Sequence, residues 1–263
     1  MRSHSIAELL QFFAYAGSSK FKPFQNTPKA EGAVNSVQFG VIEQGIPDVA
    51  FSTNKVIEDI RKQPPKEAKN RRDSLESAYT EVKKANNVQK LFSDLSVDTG
   101  FLQKFLVMTK DGKKLSPLAS EKTLFHYVDS HRHALSDEDI IHIFGQIVLG
   151  VAALHEKNLV HRDLKPLNIF IDAPPDVDPF VHAMVADLDD VIQVYPDGSI
   201  NSKEYGGAGG SLYPPELQFF LNLDPSTGGA LSWKEFDEIT RLKYRAIDHK
   251  AVDCYAFMHW AGF

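Results

Sequence analysis

Cysteine is nearly missing from these 263 residues. Cys254 stands alone, which excludes an intrachain disulfide framework and any multi-cysteine zinc site and suits a reducing compartment. Also missing is any surplus of positive charge: 29 Lys+Arg against 35 Asp+Glu leave a formal net charge of −6, which argues against nucleic-acid binding by the whole surface. No apolar run approaches the length of a transmembrane span, and the N-terminus lacks the basic, apolar, small-residue order of a secretory signal peptide. The expectation is a soluble, cytoplasmic protein without a transmembrane segment. With 43% hydrophobic and 24% charged residues, the chain can bury one large core or two lobes sharing a cleft.

Against this background the octapeptide His161 to Asn168, HRDLKPLN, concentrates chemistry. Asp163 supplies a carboxylate that can orient a hydroxyl and accept its proton. Lys165 supplies a cation for a phosphoryl group in transit, and Asn168 a neutral oxygen ligand for magnesium. The plain alternative is a polar surface turn between two short strands, LVH and NIFI.

The motif resembles the protein-kinase pattern H-R-D-L-x-x-x-N, with five residues from Asp163 to Asn168, and a Lys two places after the Asp is similar to the serine/threonine branch. The resemblance implies an α+β, bilobal fold with a small sheet-rich lobe, a mainly helical lobe, and ATP with Mg2+ bound between them. It places Asp187, 24 residues after Asp163, where the family carries Asp-Phe-Gly, and makes Asn168 and Asp187 the metal ligands. Here the triplet is Asp187-Leu188-Asp189: Leu188 can fill the apolar plug position, while Asp189 replaces a glycine and its backbone freedom. The same resemblance assigns Lys55, at the end of VAFSTN, to the nonreacting phosphates, with Lys62 as a competitor. Glu81 is its acidic partner, with Glu76 as a competitor, and the alternative is that all are solvent-facing charges. The turn Gly32 to Val37, GAVNSV, takes the phosphate-covering position with one glycine where the family has up to three. His161 is read as packing rather than chemistry, and the grouped His126, His131 and His133 lack a companion cysteine for a metal site.

Farther along, GSLYPPE resembles the end of an activation segment. Arg162 is the residue that can pair with a phosphorylated segment, with Ser199, Ser202, Tyr205 and Ser211 as candidate acceptors. Asp253-Cys254-Tyr255 resembles the start of the central large-lobe helix, whose Asp holds the catalytic-loop backbone. The 37 residues from Glu216 to Asp253 exceed the family's usual link, and the sequence stops within that helix, so the large lobe is expected to be incomplete here, either as part of a longer chain or as a minimal kinase. These features are similar to kinase-like effectors that pathogenic bacteria inject into host cells, which adds the host cytosol as a second location.

The expected organisation is an N-terminal helical extension over 1–29, a small lobe over 30–109, and a large lobe over 110–263 with an insertion at about 217–248. Ser5 and Glu8 open a helix whose apolar positions are Ile6, Leu9, Leu10 and Phe13. Residues 32–55 read as two or three strands broken at GIPD, and a polar helix covers about 67–87. KFLVMT, 104–109, reads as the last small-lobe strand running into the connector, and LFHYVDSH as a short helix. Ser136 and Asp139 cap a long helix with Ile140, Phe144, Ile147, Val151 and Leu154 on its apolar face. The function expected is a protein kinase transferring the ATP γ-phosphoryl group to serine or threonine of a protein substrate, with an activating or docking protein as a further partner. Two rivals stand beside it: a pseudokinase-type binding module, motivated by the glycine-poor phosphate loop and Asp189, and a small-molecule kinase, against which Lys165 argues.

Overall fold

A computed structural model describes residues 21–25, 30–31, 35–42, 46–54, 100–103, 107–108, 113–172, 181–188, 191–200, 214 and 238–262. The readings at 5–13, 67–87, 210–213 and 215–216 lie outside these residues. The chain divides into two compact units, one formed by 1–96 with 104–118 and the other by 97–103 with 119–263.

In the first unit the described residues form an antiparallel sheet of β1 (Phe21–Pro23), β2 (Ala30–Glu31), β3 (Asn35–Ile42), β4 (Ile46–Asn54), β5 (Val107–Met108) and β6 (Lys113–Pro117). The order is β1-β3-β4-β6-β5, with β2 also pairing β3. β1 lies opposite Gly40 to Ile42 and β2 opposite Ser36 and Val37, so two short strands share one edge of β3. The two long strands are those expected between 32 and 55, but the break does not extend through GIPD: Ile46, Pro47 and Asp48 already belong to β4. Pro47 sits where the β3 register shifts, and the pairing of β4 with β6 starts only at Val49, so the missing amide donor of Pro47 interrupts no ladder there. Of KFLVMT, Val107 and Met108 are described and are strand, as expected, but they are not the last strand of this unit: β6 follows and pairs with both β4 and β5.

The second unit holds α1 (Leu124–His131), α2 (Asp137–Glu156), β7 (Leu159–Val160), β8 (Ile169–Asp172), β9 (His182–Val185), β10 (Ile192–Gln193), α3 (Glu238–Arg245) and α4 (His249–Ala261). α1 has the expected bounds. The capping box of α2 is formed in both directions: the Asp139 amide donates to Ser136 Oγ at 3.2 Å and the Ser136 amide to Asp139 Oδ2 at 2.9 Å. Ser136 Oγ also donates to Asp139 Oδ2 at 2.6 Å, and this bond first, then that from the Ser136 amide, holds the Asp139 carboxyl below its ordinary pKa. α2 ends through Asn158, which takes the left-handed conformation at φ 54°.

The buried stripe of α2 is Ile143, Ile147, Gly150, Val151 and Leu154, which packs on β7 and β9. It is rotated from the expected one: Ile140 is exposed and Phe144 only half-buried. α2 is long and apolar enough to cross a membrane by length and composition alone, but this stripe is core. Gln146 ties the helix to β9, its Nε2 donating to Val181 O at 2.9 Å and its Oε1 accepting from the Ala183 amide at 2.7 Å. The centre of the unit gathers Leu154, Leu159, Val160, Ile169, Ile171, Ala183 and Val185, each at most 1% exposed.

Candidate active site

Two short antiparallel pairs frame the HRDLKPLN segment, β7 with β10 and β8 with β9. The strands expected on either side of the motif are therefore present. Pro166 opens a 3₁₀ turn over Pro166–Asn168, closed by the Asn168 amide donating to Lys165 O at 2.8 Å. Its fixed φ suits that first position, where its missing N–H is not required. The β8–β9 register sets Ile169 opposite Val185, and the Ala186 amide donates to Asn168 O at 2.8 Å. Asn168 and Asp187 therefore follow from the same end of one hairpin.

Asp163, Lys165 and Asn168 are brought together. Asp163 Oδ2 accepts from Lys165 Nζ at 2.6 Å and from Asn168 Nδ2 at 2.9 Å. The same Nδ2 donates to the Asp163 carbonyl at 2.8 Å, so both amide hydrogens of Asn168 serve Asp163. Asp163 Oδ1 is buried and has no partner among the described residues. A carboxylate with one oxygen doubly held and the other unmatched is oriented, and it retains capacity for one more donor.

His161 is fully buried, and its ring works as a strut. Nδ1 accepts from the Asp163 amide at 3.2 Å, which assigns the ring proton to Nε2, 2.8 Å from Ala186 O. The packing role expected for His161 is what the structure shows. Asp253 supports the other side of the loop. Its carboxylate, 1% exposed, accepts from the amides of His161 and Arg162 at 2.7 Å each and meets His155 Nε2 at 3.0 Å. These two bonds fix the chain where Arg162 adopts φ 72°. The helix bearing Asp253 starts earlier than the DCY triplet implied, at His249, capped by Asp248 Oδ1 on the amides of Lys250 and Ala251.

Arg162 is 5% exposed, and its Nε and Nη2 have no partner among the described residues. Beside it His249 is 1% exposed, and burial first, then the Arg162 charge, pushes its pKa down to about 4. A neutral imidazole therefore fills this space at neutral pH. Of the candidate phosphate acceptors only Ser199 is described, and its hydroxyl donates to Asp197 Oδ1 at 2.6 Å.

Asp187 is exposed at the end of β9, at φ 59°, with Leu188 beside it 2% exposed. Its amide donates to Gln103 Oε1 at 3.1 Å. Val37 lies in β3 of the first unit, half-buried, opposite Ser52. Lys55, Glu81, Gly32 and Asp189 lie outside the described residues. Among the described residues no three His, Cys, Asp or Glu are grouped to hold a metal unaided. His126 and His131 instead meet local partners, Thr123 Oγ1 at 2.7 Å and Tyr127 O at 3.0 Å. Asn168 and Asp187 are an amide and a carboxylate, hard oxygen donors of the kind that bind magnesium together with water and substrate phosphates, so the donor set fits that ion.

A profile of the protein kinase domain matches residues 59–203, more than half of the chain and inclusive of every motif from Asp163 to Asp187. The chain belongs to the protein kinase family. Its curated relatives include the probable serine/threonine-protein kinase ifkC of Dictyostelium discoideum, 51% identical over 43 residues, which are 16% of this chain and 2% of that protein. The serine/threonine-protein kinase ppk27 of Schizosaccharomyces pombe is 44% identical over 54 residues, 20% of this chain and 13% of the relative. Human NUAK family SNF1-like kinase 2 is 46% identical over 55 residues, 21% and 9% respectively. These matches thus span no more than 13% of each relative's length. Within the kinase family, the positions that sequence reasoning did not name are Gln103 and His155. They lie 84 and 98 residues from the groups they touch, and no local spacing links residues so far apart.

Proposed function

We propose that this chain is a serine/threonine protein kinase that transfers the γ-phosphoryl group of ATP to a hydroxyl of a protein substrate. The observation that carries the reading is the state of Asp163. One oxygen is held by Lys165 and Asn168, and the other is buried without a partner among the described residues. A substrate hydroxyl donating to that unmatched oxygen would be oriented and its proton accepted there, while Lys165 would supply positive charge to the phosphoryl oxygens. Asn168 and Asp187 would hold magnesium, which neutralises phosphate charge when bound. Lys55 with Glu81 would hold the nonreacting phosphates, and the segment from Gly32 to Val37 would cover them. The serine/threonine-protein kinase names of two of these relatives and Lys165 two places after Asp163 favour protein hydroxyls over small-molecule acceptors.

The test is transfer from labelled ATP, with magnesium, to a generic basic protein and to the chain itself. Asp163→Asn should lower transfer on the order of 10²-fold or more, with nucleotide affinity nearly unchanged. Wild-type rates in that variant would remove Asp163 from its assigned role. Absence of transfer by the wild-type chain, with nucleotide stabilising it equally with and without magnesium, would favour the binding module.

A further inference from the structure

Asp187 is not glycine, yet it sits at φ 59°, a conformation that residues with a Cβ adopt at some cost. Something must hold it there. Strand β9 presents backbone groups alternately to its two edges. On one edge, the Ala186 amide donates to Asn168 O and the Ala186 carbonyl accepts from His161 Nε2, which ties the strand to the catalytic loop. On the other edge, the Val185 amide donates to Phe101 O, and Val185 O accepts from the Gln103 amide, both at 2.8 Å. Leu102, 1% exposed, bridges Val185 in parallel register. Residues 101–103 thus pair with the outer edge of the β8–β9 hairpin through a single isolated bridge.

The next donor on this edge is the Asp187 amide. A continuing strand would meet it with a main-chain carbonyl, but the acceptor here is the side-chain Oε1 of Gln103 at 3.1 Å. The Gln103 amide therefore substitutes for the next rung of the ladder, and it does so where β9 leaves strand geometry to present Asp187. The base of this rung is well fixed. Gly100 O is 2.7 Å from His182 Nε2, and the rings of Phe101 and His182 lie 5.6 Å apart. Phe101 O lies so close to Gly150 that a Cβ there would stand 2.7 Å away.

The geometry points to Gln103 as a positioning residue for Asp187, setting the carboxylate for a magnesium–nucleotide complex by holding its main-chain N–H. This rests on the proposed role of Asp187 in metal binding, so the experiment carries a control for that role. Gln103→Met removes the acceptor at similar length, and Gln103→Glu retains an oxygen in its place. Two readouts are taken. The first, on the full chain without nucleotide or metal, is hydrogen exchange at the Asp187 amide: it should accelerate about 3- to 10-fold in Gln103→Met, the factor lost with one ordinary hydrogen bond, and stay near wild type in Gln103→Glu. The second is the magnesium concentration at which ATP stabilises the chain in a thermal shift. It should rise by a similar factor in Gln103→Met, while stabilisation by ATP without magnesium is unchanged.

Asp187→Ala should abolish the magnesium dependence altogether. If it does, and Gln103→Met matches wild type in either readout, Gln103 has no positioning role. If Asp187→Ala leaves the magnesium dependence intact, the metal assignment fails and the positioning proposal falls with it. A general loss of melting temperature in Gln103→Met, without faster exchange at Asp187 relative to neighbouring amides, would mark a merely structural residue and overturn the proposal.

Discussion

Asp253 offers a quantitative test of how the catalytic loop is held. Its carboxylate is 1% exposed and serves three donors, the amides of His161 and Arg162 at 2.7 Å and His155 Nε2 at 3.0 Å. Asp253→Asn keeps the shape and one acceptor oxygen. If that oxygen stays where Oδ2 was, it keeps His161 and His155, and the new NH2 faces the Arg162 amide, donor against donor. The loss is one charge-assisted bond and a buried N–H left unmatched, about 2–3 kcal/mol. Asp253→Ala removes both acceptor oxygens at once, leaving three donors unmatched, and should cost on the order of 4 kcal/mol or more. Urea denaturation with the slope monitored gives the stability change directly. Transfer kinetics give the rest, because each roughly 1.4 kcal/mol of lost alignment at Asp163 in the transition state lowers kcat about tenfold. An Asn variant within about 0.5 kcal/mol of wild type and with unchanged kcat would refute the claim that Asp253 holds the loop.

His249 should make stability depend on pH. Its pKa is lowered from 6.5 to about 4 by burial and by the charge of Arg162, so the unfolded chain binds a proton there between those values while the folded chain does not. The associated stability is complete above pH 6.5 and is lost as pH falls toward 4, by about 3 kcal/mol. Denaturation at several pH values should therefore show a flatter acid limb for His249→Gln than for wild type, and parallel limbs would refute the assignment. Gly150→Ala should destabilise by about 1–3 kcal/mol despite the better helix propensity of alanine, since the new Cβ meets Phe101 O at 2.7 Å and Val185 Cγ2 at 3.0 Å. A neutral or stabilising result by thermal denaturation would show that the 100–103 segment yields easily.

Much of the second unit was legible because its signals are local. LFHYVDSH and the Ser136–Asp139 box each complete themselves within a turn or two of chain, and the HRDLKPLN triad closes within six residues. The buried face of α2 was not legible by periodicity, because Ile140, Ile141, Ile143, Phe144, Ile147, Val148 and Leu149 supply apolar residues on several faces at once. The strands packed against it decide which stripe is core. β6 escaped notice for a different reason: KKLSP carries two lysines and a proline, and its strand geometry comes from pairing with β4 and β5 rather than from its own composition. Pro47 misled in the opposite direction, being harmless only because no β6 partner lies opposite it.

The backbone of the site explains why its supports are so distant in sequence. Arg162 at φ 72° precedes one of the two carboxylates assigned to chemistry and Asp187 at φ 59° bears the other, and each left-handed residue with a Cβ raises the folded-state energy by about 1–2 kcal/mol. Local hydrogen bonds cannot maintain such turns, since the chain would relax by rotating its own peptide planes. The restraints come from outside: Asp253 from α4 grips the amides of His161 and Arg162, and Gln103 grips that of Asp187. His161 then joins the two turns, bonding the Asp163 amide on one side and Ala186 O on the other. A shift at either turn therefore moves its neighbour, which makes the relative placement of Asp163 and Asp187 a property of α4 and the 100–103 segment as much as of the motifs themselves.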